Sequence, residues 1–219
     1  MPLVKTVLVY LHGLWFSGTE GIVLRRRLAR GLGAEDRVFS YPTVRATISE
    51  NADRFGAYLR GIDADRLHIV AHSLGGLVVW RSFQQAPPLP PGRIVLLGSP
   101  LNGCLAADGL ARLPGGRRVM GRGMAEEVLG PHRRRWSGSR ELGTIAGARG
   151  LGLGRLVARL QEPHDGTVAV AETRLAGASD AITLNVSHTG LLFSARAAAQ
   201  ALHFLTTGRF DHAAGAAPP

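Results

Sequence analysis

Leu67-His68-Ile69-Val70-Ala71-His72-Ser73-Leu74-Gly75-Gly76 joins an apolar run directly to a glycine pair, and an apolar helical segment, Leu74 to Gln85, follows. Arg66 to His72 has the length and composition of a strand buried on both faces. A strand that passes into a helix through one sharp turn needs small residues on both sides of the apex. Ala71 and Gly75 provide them. The turn lifts Ser73 to the helix N-terminus, where backbone N–H groups face any negative charge that develops there. This is a nucleophile elbow, with Ala71 where the usual pattern has glycine. The plainer reading, a serine in a glycine-containing turn, does not use the strand before it or the helix after it.

Working outward, Lys5 to Leu11 is a second apolar, β-branched run, closed by His12-Gly13. Ile22, Val23, Leu24, Leu28 and Leu32 have helical spacing, with Arg25, Arg26, Arg27 and Arg30 largely outside and Gly33 at the end. Val38 to Tyr41 reads as a strand stopped by Pro42. Thr47 or Ser49 caps a helix that runs through Leu59. Pro87, Pro88, Pro90 and Pro91 impose a loop before the strand Arg93 to Gly98. From Leu101 to Ser139 the alternation gives way to a Gly- and Arg-rich insertion with a short helical signal at Met124 to Leu129. Glu141 to Ala146 resumes as a strand, Leu151 to Leu160 is a connection, Ile182 to Val186 is the last strand, and Leu191 to Leu205 is a closing amphipathic helix. Such alternation specifies an α/β fold, a mostly parallel sheet of about six strands with helices on both faces. Residues 1–210 are expected to form one domain, with 101–139 as a lid-like insertion and 211–219 as a frayed tail.

The 219 residues are 45% hydrophobic, enough for a sizeable core. The formal charge of +10 is almost wholly arginine, since Lys5 is the only lysine. No apolar run reaches the ~18 residues of a membrane span. The start of the chain shows no export signal, and the single Cys104 excludes an internal disulfide, so the expected location is cytoplasmic. Leu24-Arg25-Arg26-Arg27, Arg117-Arg118, Arg122 and Arg133-Arg134-Arg135-Trp136 are either a solvated basic face or a contact for anionic membrane or substrate head groups. No nucleic-acid-binding module accompanies them, and no nucleic-acid partner is expected.

A serine hydroxyl requires a base, and the base requires an orienting carboxylate. His132, His164, His188, His203 and His212 follow Ser73. His188 lies between the last strand and the last helix, at the sheet edge where the elbow opens. Of the carboxylates between Ser73 and His188, Asp165, in His164-Asp165-Gly166-Thr167, is the best placed, and Asp108 is the alternative. The N–H groups of Leu14 and Leu74 are the candidate oxyanion donors. Trp15 and Phe16 are the expected walls of an acyl pocket.

Leu11-His12-Gly13-Leu14, Ala71-His72-Ser73-Leu74-Gly75-Gly76, Gly98-Ser99-Pro100-Leu101-Asn102-Gly103, and Asp165-Gly166 followed by His188 together resemble the lipase and esterase branch of the α/β-hydrolase family. The third segment looks like the one that follows the strand after the elbow in bacterial lipases and lipid-deacylase-like hydrolases, although the histidine often found after its proline is here Leu101. The resemblance spans nearly the whole chain. It implies a carboxylic-ester hydrolase that needs no metal or other cofactor, with Ser73, Asp165 and His188 as its triad and a small-molecule or lipid ester as its substrate. The same scaffold carries thioesterases, amidases, acyltransferases and non-catalytic lipid-binding proteins. A lid formed by the insertion would offer Leu105, Leu110, Leu113, Met120, Met124 and Leu129 to an acyl chain.

Overall fold

The computed structural model describes residues 4–85, 88–130, 132–152 and 154–215. Its strands are β1 (Thr6–Leu11), β2 (Glu35–Phe39), β3 (Arg66–His72), β4 (Ile94–Leu97), β5 (Leu142–Gly147) and β6 (Asp180–Leu184). Its helices are α1 (Ile22–Leu32), α2 (Ile48–Arg60), α3 (Leu74–Ser82), α4 (Leu105–Arg112), α5 (Gly116–Glu127), α6 (Gly154–Val157), α7 (Val170–Thr173), α8 (Ala195–Thr207) and α9 (His212–Gly215). The strands form one sheet in the order β2-β1-β3-β4-β5-β6, and every neighbouring pair is parallel.

The two faces of the sheet explain why the central strands are apolar without interruption. Val7, Val9 and Leu11 of β1, with Leu67 and Ile69 of β3 and Ile94 and Leu96 of β4, pack on the side of α2 and α3. Leu8, Tyr10, Val70, Val95 and Leu97 point the other way, into a second core with Leu24 and Leu28 of α1 and Ala201 and Phe204 of α8. A strand between two helix layers has no solvated face, so alternation disappears.

The edge strands depart from the sequence expectation for the complementary reason. β2 begins at Glu35 and ends at Phe39, three residues ahead of the expected Val38 start, because an edge strand can carry charge. Asp36 meets Arg25 of α1, and Glu35 meets Arg37. The other edge strand, β6, likewise starts at Asp180 and ends at Leu184 rather than spanning Ile182 to Val186. The closing helix begins at Ala195, capped by the Ser194 side chain, with a separate 3₁₀ turn at Thr189–Leu192.

The insertion is more ordered than its composition suggested. α4 and α5 fill most of it, and the Met124 to Leu129 signal marks only the end of α5. Its glycines obscured the periodicity. Gly121, at φ 81°, interrupts α5 where the backbone meets Val44, and Arg122 N–H donates to the Val44 carbonyl at 3.0 Å. Met120 and Met124 are buried in the α2-side core rather than free to meet an acyl chain, whereas Leu105 and Leu113 are exposed. In the expected tail, α9 lies against β6, where His212 pairs with Asp180. Residues 216–219, Met1 to Leu3 and the expected proline turn at Pro87 lie outside the described residues.

α3 approaches the sheet closely only because of its first residues. A Cβ on Gly75 would stand 2.8 Å from the His12 carbonyl oxygen, and one on Gly76 would stand 2.5 Å from Ser99 Cβ. Gly76→Ala is therefore expected to destabilise the protein by about 1–3 kcal/mol through overpacking. Combining it with Ser99→Gly should recover most of that loss in urea unfolding, and simple additivity of the two changes would refute the contact as the cause.

Candidate active site

Ser73 stands between β3 and α3 with φ 53° and ψ −122°, one of two non-glycine residues at positive φ among the described residues. Such a conformation costs about 1–3 kcal/mol and persists only where the surroundings fix it. Here they do. Ser73 N–H donates to the Leu97 carbonyl at 2.9 Å, tying the turn to the end of β4. The side chain is partly exposed and its Oγ bonds to no described residue.

The acid and the histidine come together from the far half of the chain. Asp165 is fully buried, and its Oδ2 accepts from His188 Nδ1 at 2.7 Å. Its Oδ1 accepts from the N–H groups of Thr167 (2.9 Å) and Val168 (2.7 Å), so both oxygens of the buried carboxylate are satisfied. His188 N–H in turn donates to the Asp165 carbonyl at 2.9 Å. With Nδ1–H committed to the carboxylate, His188 Nε2 is the nitrogen left to accept a proton. Asp108, the alternative acid, lies in α4 and accepts from Gly130 N–H at 3.0 Å. The structure joins Asp165, not Asp108, to His188.

His188 and the elbow meet across the end of β4. A Cβ on Gly98 would stand 3.1 Å from His188 Nδ1, and the His188 ring centroid is 4.7 Å from that of His72, the residue before Ser73. His72 Nε2–H donates to the His188 carbonyl at 3.2 Å. No hydrogen bond joins Ser73 to His188 among the described residues.

The backbone of the His12-Gly13 segment sets the direction of the Leu14 N–H. His12 Nδ1–H donates to the Gly13 carbonyl at 2.9 Å, while His12 Nε2 accepts from Tyr41 N–H at 3.2 Å. Because a trans peptide holds its C=O and N–H in opposite directions, fixing the Gly13 carbonyl turns the Leu14 N–H the other way. Trp15, the second positive-φ residue at 64°, donates its N–H to Thr43 Oγ1 at 3.2 Å. A Cβ on Gly13 would lie 3.2 Å from Ser73 Cβ, so this loop is packed against the serine. Neither Leu14 N–H nor Leu74 N–H has an acceptor among the described residues. Trp15 and Phe16 are exposed beside the opening, and Trp15 Nε1–H reaches the Val119 carbonyl of α5 at 3.1 Å.

Three of these supports escaped the sequence reading. His12 and Tyr41 orient the loop, His72 braces the His188 turn, and Glu172 holds the Asp165 segment by accepting from Leu105 N–H at 2.6 Å and Ala169 N–H at 2.7 Å. His12 and His72 lie within the quoted motifs. Glu172 carries a weak local signal, because its contact with Ala169 N–H three residues earlier has no Ser or Thr at the cap to mark it, and its other partner, Leu105 N–H, lies 67 residues away. The Arg133 to Trp136 cluster also reads differently in three dimensions. Arg134 and Trp136 are buried, leaving only Arg133 and Arg135 on the surface. Among the described residues no group of His, Cys, Asp and Glu side chains is arranged to hold a metal ion. No helix there is long and apolar enough to cross a membrane.

No protein-family model matches the chain, and comparison with curated proteins finds no relative by sequence. Solved structures do match. The mature form of the Bacillus licheniformis lipase BlEst2 superposes with a TM-score of 0.68 at 16% identity, over 95% of this chain and 93% of that one. The chain has the α/β-hydrolase fold. The lin2722 product of Listeria innocua shares this fold at a TM-score of 0.61 and 14% identity, over 95% and 99% of the two chains. YbtT, a type II thioesterase of yersiniabactin biosynthesis, matches at 0.59 and 12% over 98% and 96%.

Burial makes this hydrolase-fold chain acid-sensitive. Desolvation lowers the His12 imidazole below its ordinary value, brings His68 from 6.5 to about 4 and brings His72 from 6.5 to about 3. The unfolded chain therefore binds protons first. The contribution of these histidines to stability is fully present above about pH 6.5 and is lost as pH falls toward their lowered values, at about 1.4 kcal/mol per pH unit for each histidine held neutral. His68 Nδ1 accepts from Arg93 N–H at 3.1 Å, a bond glutamine can replace. His68→Gln should flatten the dependence of urea-unfolding free energy on pH between 6 and 4.5. An unchanged slope would contradict this account.

Proposed function

We propose that this protein is a serine hydrolase of carboxylic esters with apolar acyl groups, acting through an acyl-enzyme on Ser73. The observation that carries the reading is the buried Asp165–His188 pair at 2.7 Å, braced against the residue that precedes a strained serine. Nothing in ordinary packing calls for a fully buried carboxylate to hold a histidine's Nδ1–H at the end of a sheet while leaving Nε2 free. That arrangement suits a base.

In the proposed reaction Ser73 Oγ attacks the ester carbonyl carbon while His188 Nε2 takes the hydroxyl proton. Asp165 stays ionised, holding the Nδ1–H tautomer and stabilising the imidazolium. The carbonyl oxygen becomes an oxyanion facing the N–H groups of Leu14 and Leu74, with the N-terminal end of α3 behind the latter. Collapse breaks the bond to the alcohol oxygen, which leaves with the proton from His188. Water then repeats the sequence on the acyl-enzyme, releasing the carboxylic acid and restoring Ser73. His72 does not compete as a base. It is held neutral by burial, with Nε2–H engaged by the His188 carbonyl.

Exposed Trp15 and Phe16, with Val119 of the insertion held to Trp15, supply apolar surface for an acyl chain beside the serine. The similarity to a lipase supports an ester substrate, and the thioesterase among the similar folds makes thioesters the natural competing substrate. A cytoplasmic location belongs to the same reading, supported by the single, unpaired Cys104, whose thiol burial pushes up to about 12.

Ser73→Ala should abolish both hydrolysis of p-nitrophenyl esters and labelling by a fluorophosphonate while leaving the fold intact. Labelling retained by a folded variant would remove Ser73 from the mechanism. Asp165→Asn should lower turnover by about 10⁴-fold through the wrong histidine tautomer, and Asp108→Asn should leave it near that of the unmodified protein. The reverse order would displace the acid.

Trp15→Ala should reduce kcat/KM for octanoate by about tenfold, the effect of losing roughly 1–3 kcal/mol of apolar contact, with acetate much less affected. Equal losses on both esters would place Trp15 outside the acyl pocket. Faster turnover of an octanoyl thioester than of the matching oxygen ester would redirect the reading to a thioesterase.

A further inference from the structure

The segment 132–136 runs extended between α5 and β5 and is pinned at alternate residues. Arg134 turns inward, where Nη1 donates to the Leu101 carbonyl at 2.8 Å and Nη2 donates to the Glu127 carbonyl and carboxylate. Its guanidinium lies over the Trp80 ring at 5.0 Å. Trp136 also turns inward, with its N–H on the Ala176 carbonyl at 2.7 Å, and Trp80 Nε1–H holds the Arg135 carbonyl at 3.0 Å. Alternation in an extended chain then sends Arg133 and Arg135 outward together.

Those two side chains open onto a groove of about 740 Å³ whose other wall is the 174–181 segment leading into the edge strand β6. Arg174 stands on that wall. The walls are tied to each other by the parallel bridge between Arg135 and Ala176 and, at one end, by Asn102, whose Nδ2–H donates to the Arg174 carbonyl at 2.6 Å. The guanidinium groups are thus carried on a cross-linked frame.

The charge in this groove is unbalanced. Arg133, Arg135 and Arg174 have no carboxylate partner among the described residues. The carboxylate in the lining, Asp180, is already used by Phe210 N–H at 2.8 Å, Ala181 N–H at 2.8 Å and His212 Nε2 at 3.0 Å. Arg134, which also lines the groove, keeps one donor unsatisfied. Its Nε is buried with no hydrogen-bond partner and the side chain is 5% exposed, so it adds positive charge to the lining without offering a donor to a ligand in the groove. A buried guanidinium N–H without an acceptor is costly and uncommon.

We propose that this groove is a binding site for a phosphate group, carried by a soluble phosphorylated ligand or by a phospholipid head group. The phosphate oxygens would meet the outward guanidinium groups of Arg133, Arg135 and Arg174. Guanidinium forks match phosphate oxygens in geometry and charge. The site is separate from Ser73 and does not depend on the hydrolase reading.

The test is isothermal titration of the folded protein with inorganic phosphate and pyrophosphate against chloride at equal ionic strength. Arg133→Gln and Arg174→Gln lie on the surface and spare the buried Arg134. Each should weaken phosphate binding by about tenfold, as expected for one hydrogen bond to a charged group. Arg117→Gln/Arg118→Gln removes exposed charge on α5 outside the groove and should leave binding unchanged, as should Ser73→Ala. Competition by vesicles containing phosphatidylglycerol, but not by pure phosphatidylcholine, would identify a head group. Absence of competition would identify a soluble ligand. Binding that does not saturate, that chloride reproduces, or that Arg117→Gln/Arg118→Gln weakens as much as the groove variants would overturn the proposal.

Discussion

Ser73 is held at φ 53° because β3 ends and α3 begins with only this residue between them, and the rest of the site is arranged around that constraint. A chain turning so sharply brings the start of a helix against the ends of the neighbouring strands. Side chains would ordinarily prevent the approach. Gly75 clears the backbone of β1 and His12, and Gly76 clears Ser99 after β4. The turn also leaves the first N–H groups of α3 pointing outward, since a helix has no internal acceptors for them. Exposure of the serine and availability of the Leu74 N–H are therefore two results of one backbone geometry.

The sheet order determines what can face that turn. β3 lies between β1 and β4, so the loops leaving those strands are the first to meet Ser73. Gly13 follows β1 and packs on the serine, and Gly98 follows β4 and packs on His188. Asp165 and His188 come from connections around β5 and β6, farther along the same edge. They are joined by main-chain as well as side-chain bonds, through His188 N–H on the Asp165 carbonyl and the imidazole on the carboxylate. His72 extends the linkage back to the elbow. Two residues 116 positions apart, His72 and His188, thus share a hydrogen bond and a ring contact beside the serine.

Much of this was legible in the sequence because the governing signals are local. β3 carries its full length as an apolar run, the elbow lies within ten residues, and the capping box of α2, Thr47 with Glu50, is a four-residue pattern. Asp165 and His188 were readable by a different route, the position of each loop relative to strands that were themselves clear. The failures have a common cause. At β2 and β6 the edge strands take charged residues, Asp36 and Asp180 with partners on other elements and Glu35 with Arg37 in the same strand, so apolar content no longer marks their limits. In the insertion, Gly116, Gly121 and Gly123 lower helix propensity, and α5 forms because tertiary contacts with Val44, Ala46 and Ile48 hold it.

Arginine shows how far composition alone can mislead. The run Arg133-Arg134-Arg135 has one charge per residue in sequence, yet an extended backbone divides it between two environments. Arg134 serves as a buried brace, with Trp80 beneath its guanidinium and carbonyl oxygens on its terminal nitrogens. Its neighbours remain outside because the brace fixes their direction. An excess of positive charge consequently becomes a shaped feature at one edge of the sheet and a dispersed one on α1 and α5. The same residue type in the same net charge can thus support the fold, line a groove or remain solvated, and backbone direction decides which.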